Sequence, residues 1–123
     1  MPTKREQMED ILKGMLGTNG VEGGAVISRD GLVVSSALPK SINPEIFSAM
    51  SATMMGAAET TFSDMGGFAP DSVIVRAKDV LLVAVGAGPE MLLVALASGD
   101  VDTDKILTHI TKTEKKIRAV LEE

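Results

Sequence analysis

The chain has no cysteine, tryptophan or tyrosine, and its aromatic content is three phenylalanines. Without cysteine there is no disulfide framework, no thiolate metal site and no cysteine nucleophile. Without Trp and Tyr most of the base-stacking equipment of nucleic-acid binders is missing, and 17 acidic against 12 basic residues give a net charge of -5. Nucleic acid is therefore not an expected partner. The one basic cluster, Lys112, Lys115, Lys116 and Arg118, falls near the end of a predicted C-terminal helix, where the macrodipole favours cations without any polyanion. The chain starts Met-Pro-Thr-Lys-Arg-Glu, which is not a charged stretch leading into an apolar one, so a cytoplasmic protein is expected.

Only one run is apolar enough to suggest a membrane span: Val80 to Ala97, VLLVAVGAGPEMLLVALA. Its centre, Gly86-Ala87-Gly88-Pro89-Glu90, combines helix breakers with a carboxylate, and each half has the length of a strand. Two buried strands and a turn are expected, with no membrane insertion. At 123 residues, a single domain spanning 1–123 is the economical reading.

Helix signals come first. Thr3 and Glu6 have capping-box spacing, and Met8, Ile11, Leu12, Met15 and Leu16 recur on one face, predicting a helix from Thr3 to about Leu16 that Gly17 and Gly20 stop. Val21 to Ser28 and Leu32 to Leu38 read as a hairpin around Arg29-Asp30-Gly31. Asn43-Pro44-Glu45 supplies an N-cap, a proline at the first helical position and an acid in the first turn, predicting a second helix to about Asp64. Strands at Ser72–Lys78, Val80–Val85 and Met91–Ser98 follow, and a last helix starts among Asp100, Asp102 and Asp104 with Ile106, Ile110, Ile117 and Leu121 on one stripe. The class is α/β, in the order α-β-β-α-β-β-β-α. The fourth and fifth strands are apolar on both faces and belong inside the sheet, whereas the second and third are mixed and belong at its edges. A mostly antiparallel sheet of order 2-1-5-4-3 satisfies both conditions.

Candidate chemistry fails residue by residue. The run Gly86 to Met91 lacks the third glycine of a dinucleotide loop and joins two strands instead of opening a helix. Asp100 to Lys105 begins like a calcium loop, but Lys105 stands where glycine is needed and Thr111 where the bidentate glutamate is needed. His109 is the only histidine, too few for an ordinary zinc site without cysteine. No Gly-x-Ser-x-Gly elbow occurs, and the hydroxyls of the second helix have no base nearby in sequence. No catalytic residue, cofactor or metal is expected, and the protein is read as not an enzyme.

The second helix is the informative element. Ile46, Phe47, Met50, Met54, Met55, Ala57, Ala58, Phe62 and Met65 form a wide apolar arc, and the opposite arc holds Ser48, Ala49, Ala52, Gly56 and Ser63. A helix apolar or small nearly all round is buried on two sides, and one sheet covers only one. Small residues also allow another helix to approach closely. The third strand, if an edge, is an unpaired ladder. One two-fold axis through that strand, with two second helices side by side, answers both features. Met50, Met54 and Met55 fit either an adaptable partner surface or core filling.

The hairpin VEGGAVISRDGLVVSS, Val21 to Ser36, preceded by a helix and followed by Leu38-Pro39 and a long helix rich in small residues, resembles the Roadblock family of dynein light-chain-type proteins, which includes bacterial polarity regulators. The resemblance implies a five-stranded sheet with one helix on one face and two on the other, related to longin and profilin-like folds. It also implies a homodimer through the third strand and second helix, and a non-catalytic scaffold or regulator that binds a Ras-like small GTPase; the minimal single-domain chain sets the expectation of a prokaryotic cell. The Arg-Asp-Gly turn is then scaffold. Phe47, Met50, Ala52, Met54, Gly56, Val73 and Val75 are the candidate interface residues, and Arg76 and Lys78, near the same edge, are candidates for contacting an acidic partner. The alternative reading is a small-ligand sensor of profilin-like fold.

Overall fold

The computed structural model describes residues 1–123. The elements are α1 (Lys4–Met15), β1 (Val21–Ser28), β2 (Val33–Ala37), α2 (Pro44–Gly66), β3 (Ser72–Arg76), β4 (Val80–Gly86), β5 (Met91–Ser98) and α3 (Thr103–Leu121). All strand pairs are antiparallel, in the order β2-β1-β5-β4-β3. Element order and strand order agree with the sequence reading.

The caps explain the helix starts. Thr3 Oγ1 accepts from the Glu6 amide at 3.1 Å while Glu6 returns a carboxylate oxygen to the Thr3 amide at 3.0 Å. Asn43 Oδ1 accepts from the Ile46 amide at 3.0 Å, and Asp102 Oδ1 accepts from the amides of Asp104 and Lys105 at 2.9 and 3.1 Å. Each satisfies amides that lack a partner in the first turn. At its other end α2 runs two residues past Asp64 and closes on Gly67 in the left-handed conformation, φ 84°, a geometry that glycine adopts without strain.

The sheet separates two apolar layers. On one face α1 and α3 pack Leu12, Met15, Ile106, Ile110 and Ile117 onto Val26, Val83, Leu93 and Ala95. On the other, α2 packs Ala52 and Met55 onto Ala25, Ile27, Ala84, Leu92 and Val94. Adjacent residues of β5 therefore serve opposite layers, as pleating requires. One helix lies on one face and two on the other. β4 is less completely covered than its composition suggests, because Val80 at its start is 42% exposed.

β2 is shorter than the stretch Leu32–Leu38. Its register with β1 passes from Val26↔Ser35 to Ile27↔Val33, leaving Val34 bulged. The carbonyl of Val34 accepts from Arg5 Nε at 3.0 Å, and Ser35 Oγ donates to the Arg5 carbonyl at 3.3 Å. A bulge and a helix-borne arginine thus blunt this edge of the sheet.

Candidate partner-binding surface

β3 forms the other edge, and no comparable device covers it. Its residues divide between the two faces: Val73 and Val75 pair with Ala84 and Leu82 on the α2 side, while Ile74 pairs with Val83 on the α1/α3 side. Phe47, Met54 and Val73 are partly buried against the α2 layer. Beside them Met50 is 61% and Val75 46% exposed. The structure therefore gathers Phe47, Met50, Met54, Val73 and Val75 along one flank, between α2 and an open strand edge.

Ala52 and Gly56 stand apart from that flank. Ala52 is buried, and it faces the sheet with Ser48, Ser51 and Met55. Of the small arc of α2, Ser48 and Ala52 lie on the sheet side, above Ile27, Leu92 and Val94, while Gly56 is half-buried with open space where a Cβ would stand and Ser63 is exposed. Large residues below call for small ones above at native packing density. Gly56 lies two turns beyond Ala49 and so on the same side of the helix. That is the side over the β1–β2 turn, where a Cβ on Gly31 would stand 3.0 Å from the Ala49 Cα. Of the small residues expected at a helix–helix contact, Ala52 is packed on the sheet and not open to a second helix, whereas the exposed residues of α2 include the small Thr53 and Ala57 beside Ile46, Met50 and Met65.

Arg76 is also placed differently. It pairs with Leu81 on the α1/α3 side of the sheet. Its guanidinium donates to the Gly99 carbonyl, to the Val101 carbonyl at 3.3 Å and to Thr103 Oγ1 at 3.0 Å. These bonds tie the end of β3 to the start of α3, so the expected free cation for an acidic partner is engaged within the chain. Arg76 also adds to the lowering of the Asp100 carboxyl below the ordinary range, which comes first from the Ser98 hydroxyl. Lys78 is exposed in the β3–β4 connection and forms no ion pair.

The glycine-rich run, the histidine and the acidic cluster take structural places. The Gly86–Met91 run closes the β4–β5 hairpin, with the Ala87 amide donating to the Met91 carbonyl at 2.9 Å. His109 Nε2 lies 3.1 Å from the Met15 carbonyl at the end of α1. Asp102 caps α3. No group of three or more His, Cys, Asp or Glu side chains is placed to hold a metal, and no helix is long and apolar enough to cross a membrane.

Sequence reasoning missed two neighbours of this flank. An open apolar groove of about 510 Å³ lies between the start of α2 and the sheet, with Phe47, Leu82 and Leu96 in its walls. Phe68, just past α2, is 66% exposed. A signal for Phe68 existed, because it is one of only three aromatics and follows two glycines. The groove had none, since strands distant in sequence form it.

The three-layer arrangement, with one helix opposing two across an antiparallel sheet, is that of roadblock and profilin folds. The gliding protein MglB from Thermus thermophilus superposes with a TM-score of 0.88 at 17% identity, covering 99% of this chain and 93% of its own. Profilin II from Acanthamoeba castellanii superposes at 0.60 with 18% identity, covering 91% of this chain and 97% of its own. In sequence, an uncharacterized protein of Methanocaldococcus jannaschii is 33% identical over 116 residues, which is 94% of this chain and 98% of that one. Residues 7–97 match the Roadblock/LC7 domain, and the chain belongs to that family.

Proposed function

We propose that this chain is a homodimeric, non-catalytic scaffold that binds a Ras-like small GTPase and modulates its nucleotide cycle or its localisation. The observation that carries the dimer is the coincidence of an open β3 edge with the exposed apolar side chains of Met50 and Val75. An unpaired edge beside large exposed apolar groups is unfavourable in water, and antiparallel pairing with a second copy satisfies the ladder and buries the side chains together. The blunted β2 edge leaves β3 as the edge for that pairing.

The GTPase rests on membership of the Roadblock/LC7 family, since resemblance to that family implies a scaffold for Ras-like small GTPases. Engagement of Arg76 within the chain leaves Lys78 as the free cation of the original pair on this edge.

The test is affinity capture from a lysate of the source organism with the tagged chain, run in parallel with GDP and with a non-hydrolysable GTP analogue. A small GTPase enriched in one nucleotide state is the expected result. Retention of no GTPase in either state overturns the partner, and a monomer by light scattering at micromolar concentration overturns the dimer.

A further inference from the structure

We propose that the apolar groove at the start of α2 is completed by Phe68 of a second copy of this chain, each copy filling the groove of the other. The inference rests on the two-fold dimer proposed above and specifies its contacts.

The groove and its occupant sit at opposite ends of one helix. Ile42, Ile46 and Phe47 form one wall of the groove, and Val80, Leu82 and Leu96 form the other. Glu22 at its rim is the only charged residue lining it, so the groove suits an apolar group. At the far end of α2 the apolar residues point outward: Met65 is 65% and Phe68 66% exposed, with Phe62 at 37%. The Phe68 ring rests beside Gly66, where a Cβ would stand 3.4 Å from the ring. With 23 residues, α2 separates the two features by roughly 30 Å. They cannot meet within one chain.

A two-fold axis through β3 brings them together. Ser72, at the start of β3, pairs with Val85 near the end of β4, and Arg76 pairs with Leu81 near the start of β4. The start of β3 therefore lies at the same end of the sheet as Phe68, and the end of β3 lies at the same end as the groove. Antiparallel pairing of two β3 strands sets the Phe68 end of one copy beside the groove end of the other. Both grooves are filled by the same operation, so the contact closes on itself and does not propagate.

The absence of cysteine makes the test clean. A chain carrying Phe68→Cys and Val80→Cys, treated with a short bis-maleimide, is expected to give a covalent dimer on a denaturing gel, while either single variant alone gives little. Val75→Cys alone, placed on the open edge, reports the dimer itself. Cross-linking of Val75→Cys without cross-linking of the double variant leaves the dimer standing and overturns the filled groove, which is then open to another occupant such as a small ligand. Failure of both overturns the dimer and the inference with it. In the cysteine-free chain, Phe68→Ala is expected to raise the dimer dissociation constant roughly tenfold or more, and an unchanged constant counts against the contact.

Discussion

Arg29, in the turn between β1 and β2, is ion-paired through Nη1 with Glu59 in α2, and its Nη2 lies 3.4 Å from the Gly88 carbonyl in the β4–β5 turn. One side chain thus joins two hairpin turns to the helix that covers them. Both partners are about one third exposed, which places the pair between a weak surface bridge and a buried one. Glu59→Ala is predicted to destabilise the fold by about 1–2 kcal/mol, since it leaves a largely covered guanidinium with only its long contact to the Gly88 carbonyl. Urea denaturation checks this, and a change within a few tenths would mean that the pair does not secure α2.

Arg76→Ala separates two roles for that residue. The loss of three acceptor contacts is predicted to destabilise the chain by about 1 kcal/mol and to speed amide exchange at the start of α3. Unchanged stability with weakened partner binding would assign Arg76 to the partner instead.

Two glycines are predicted to respond in opposite directions. A Cβ at Gly99 would stand 2.8 Å from the Asp79 carbonyl carbon and 2.9 Å from the Val80 amide nitrogen, backbone atoms that cannot swing aside. Gly99→Ala is therefore expected to destabilise by roughly 1–3 kcal/mol. A Cβ at Gly56 meets nothing within 4 Å, and this helical position is expected to gain about 0.5–1 kcal/mol on Gly56→Ala. Thermal or urea unfolding of the pair tests both signs.

The capping box of α1 predicts a pH dependence. The Glu6 carboxyl is lowered below its ordinary value, first by the Thr3 backbone amide and then by the Thr3 hydroxyl. A carboxyl lowered on folding contributes stability that is present above its unfolded pKa and is lost as pH falls through the folded value. The difference in melting temperature between the wild type and Glu6→Ala is expected to be full above about pH 5 and to shrink below about pH 4. A difference constant over that range would show that the carboxylate charge is not what matters.

Val75→Glu tests the open edge. A carboxylate on the α2 side of β3 is predicted to raise the dimer dissociation constant by roughly tenfold or more, because pairing would bury an unpaired charge, while the monomer stays folded. Sedimentation velocity reads the first effect and circular dichroism the second. An unchanged dimer would place the contact elsewhere.

Local signals in the sequence determined the elements and their order in the sheet. Caps at Thr3, Asn43 and Asp102, the Gly31 turn and the two-sided apolar strands act over a few residues, so they can be read from spacing alone. The likeness of the Val21–Ser36 hairpin to the Roadblock family was also legible there. The tertiary structure decided which arc of α2 faces the sheet, since that depends on the volumes of Ile27, Leu92 and Val94 beneath it. It also decided that Arg76 is held by the loop before α3, that Arg5 covers the bulge at Val34, and that Ala52 and Gly56 lie away from the open edge. Each of these is a contact between segments far apart in the chain, where side-chain size and reach in three dimensions, not periodicity along the sequence, settle the outcome.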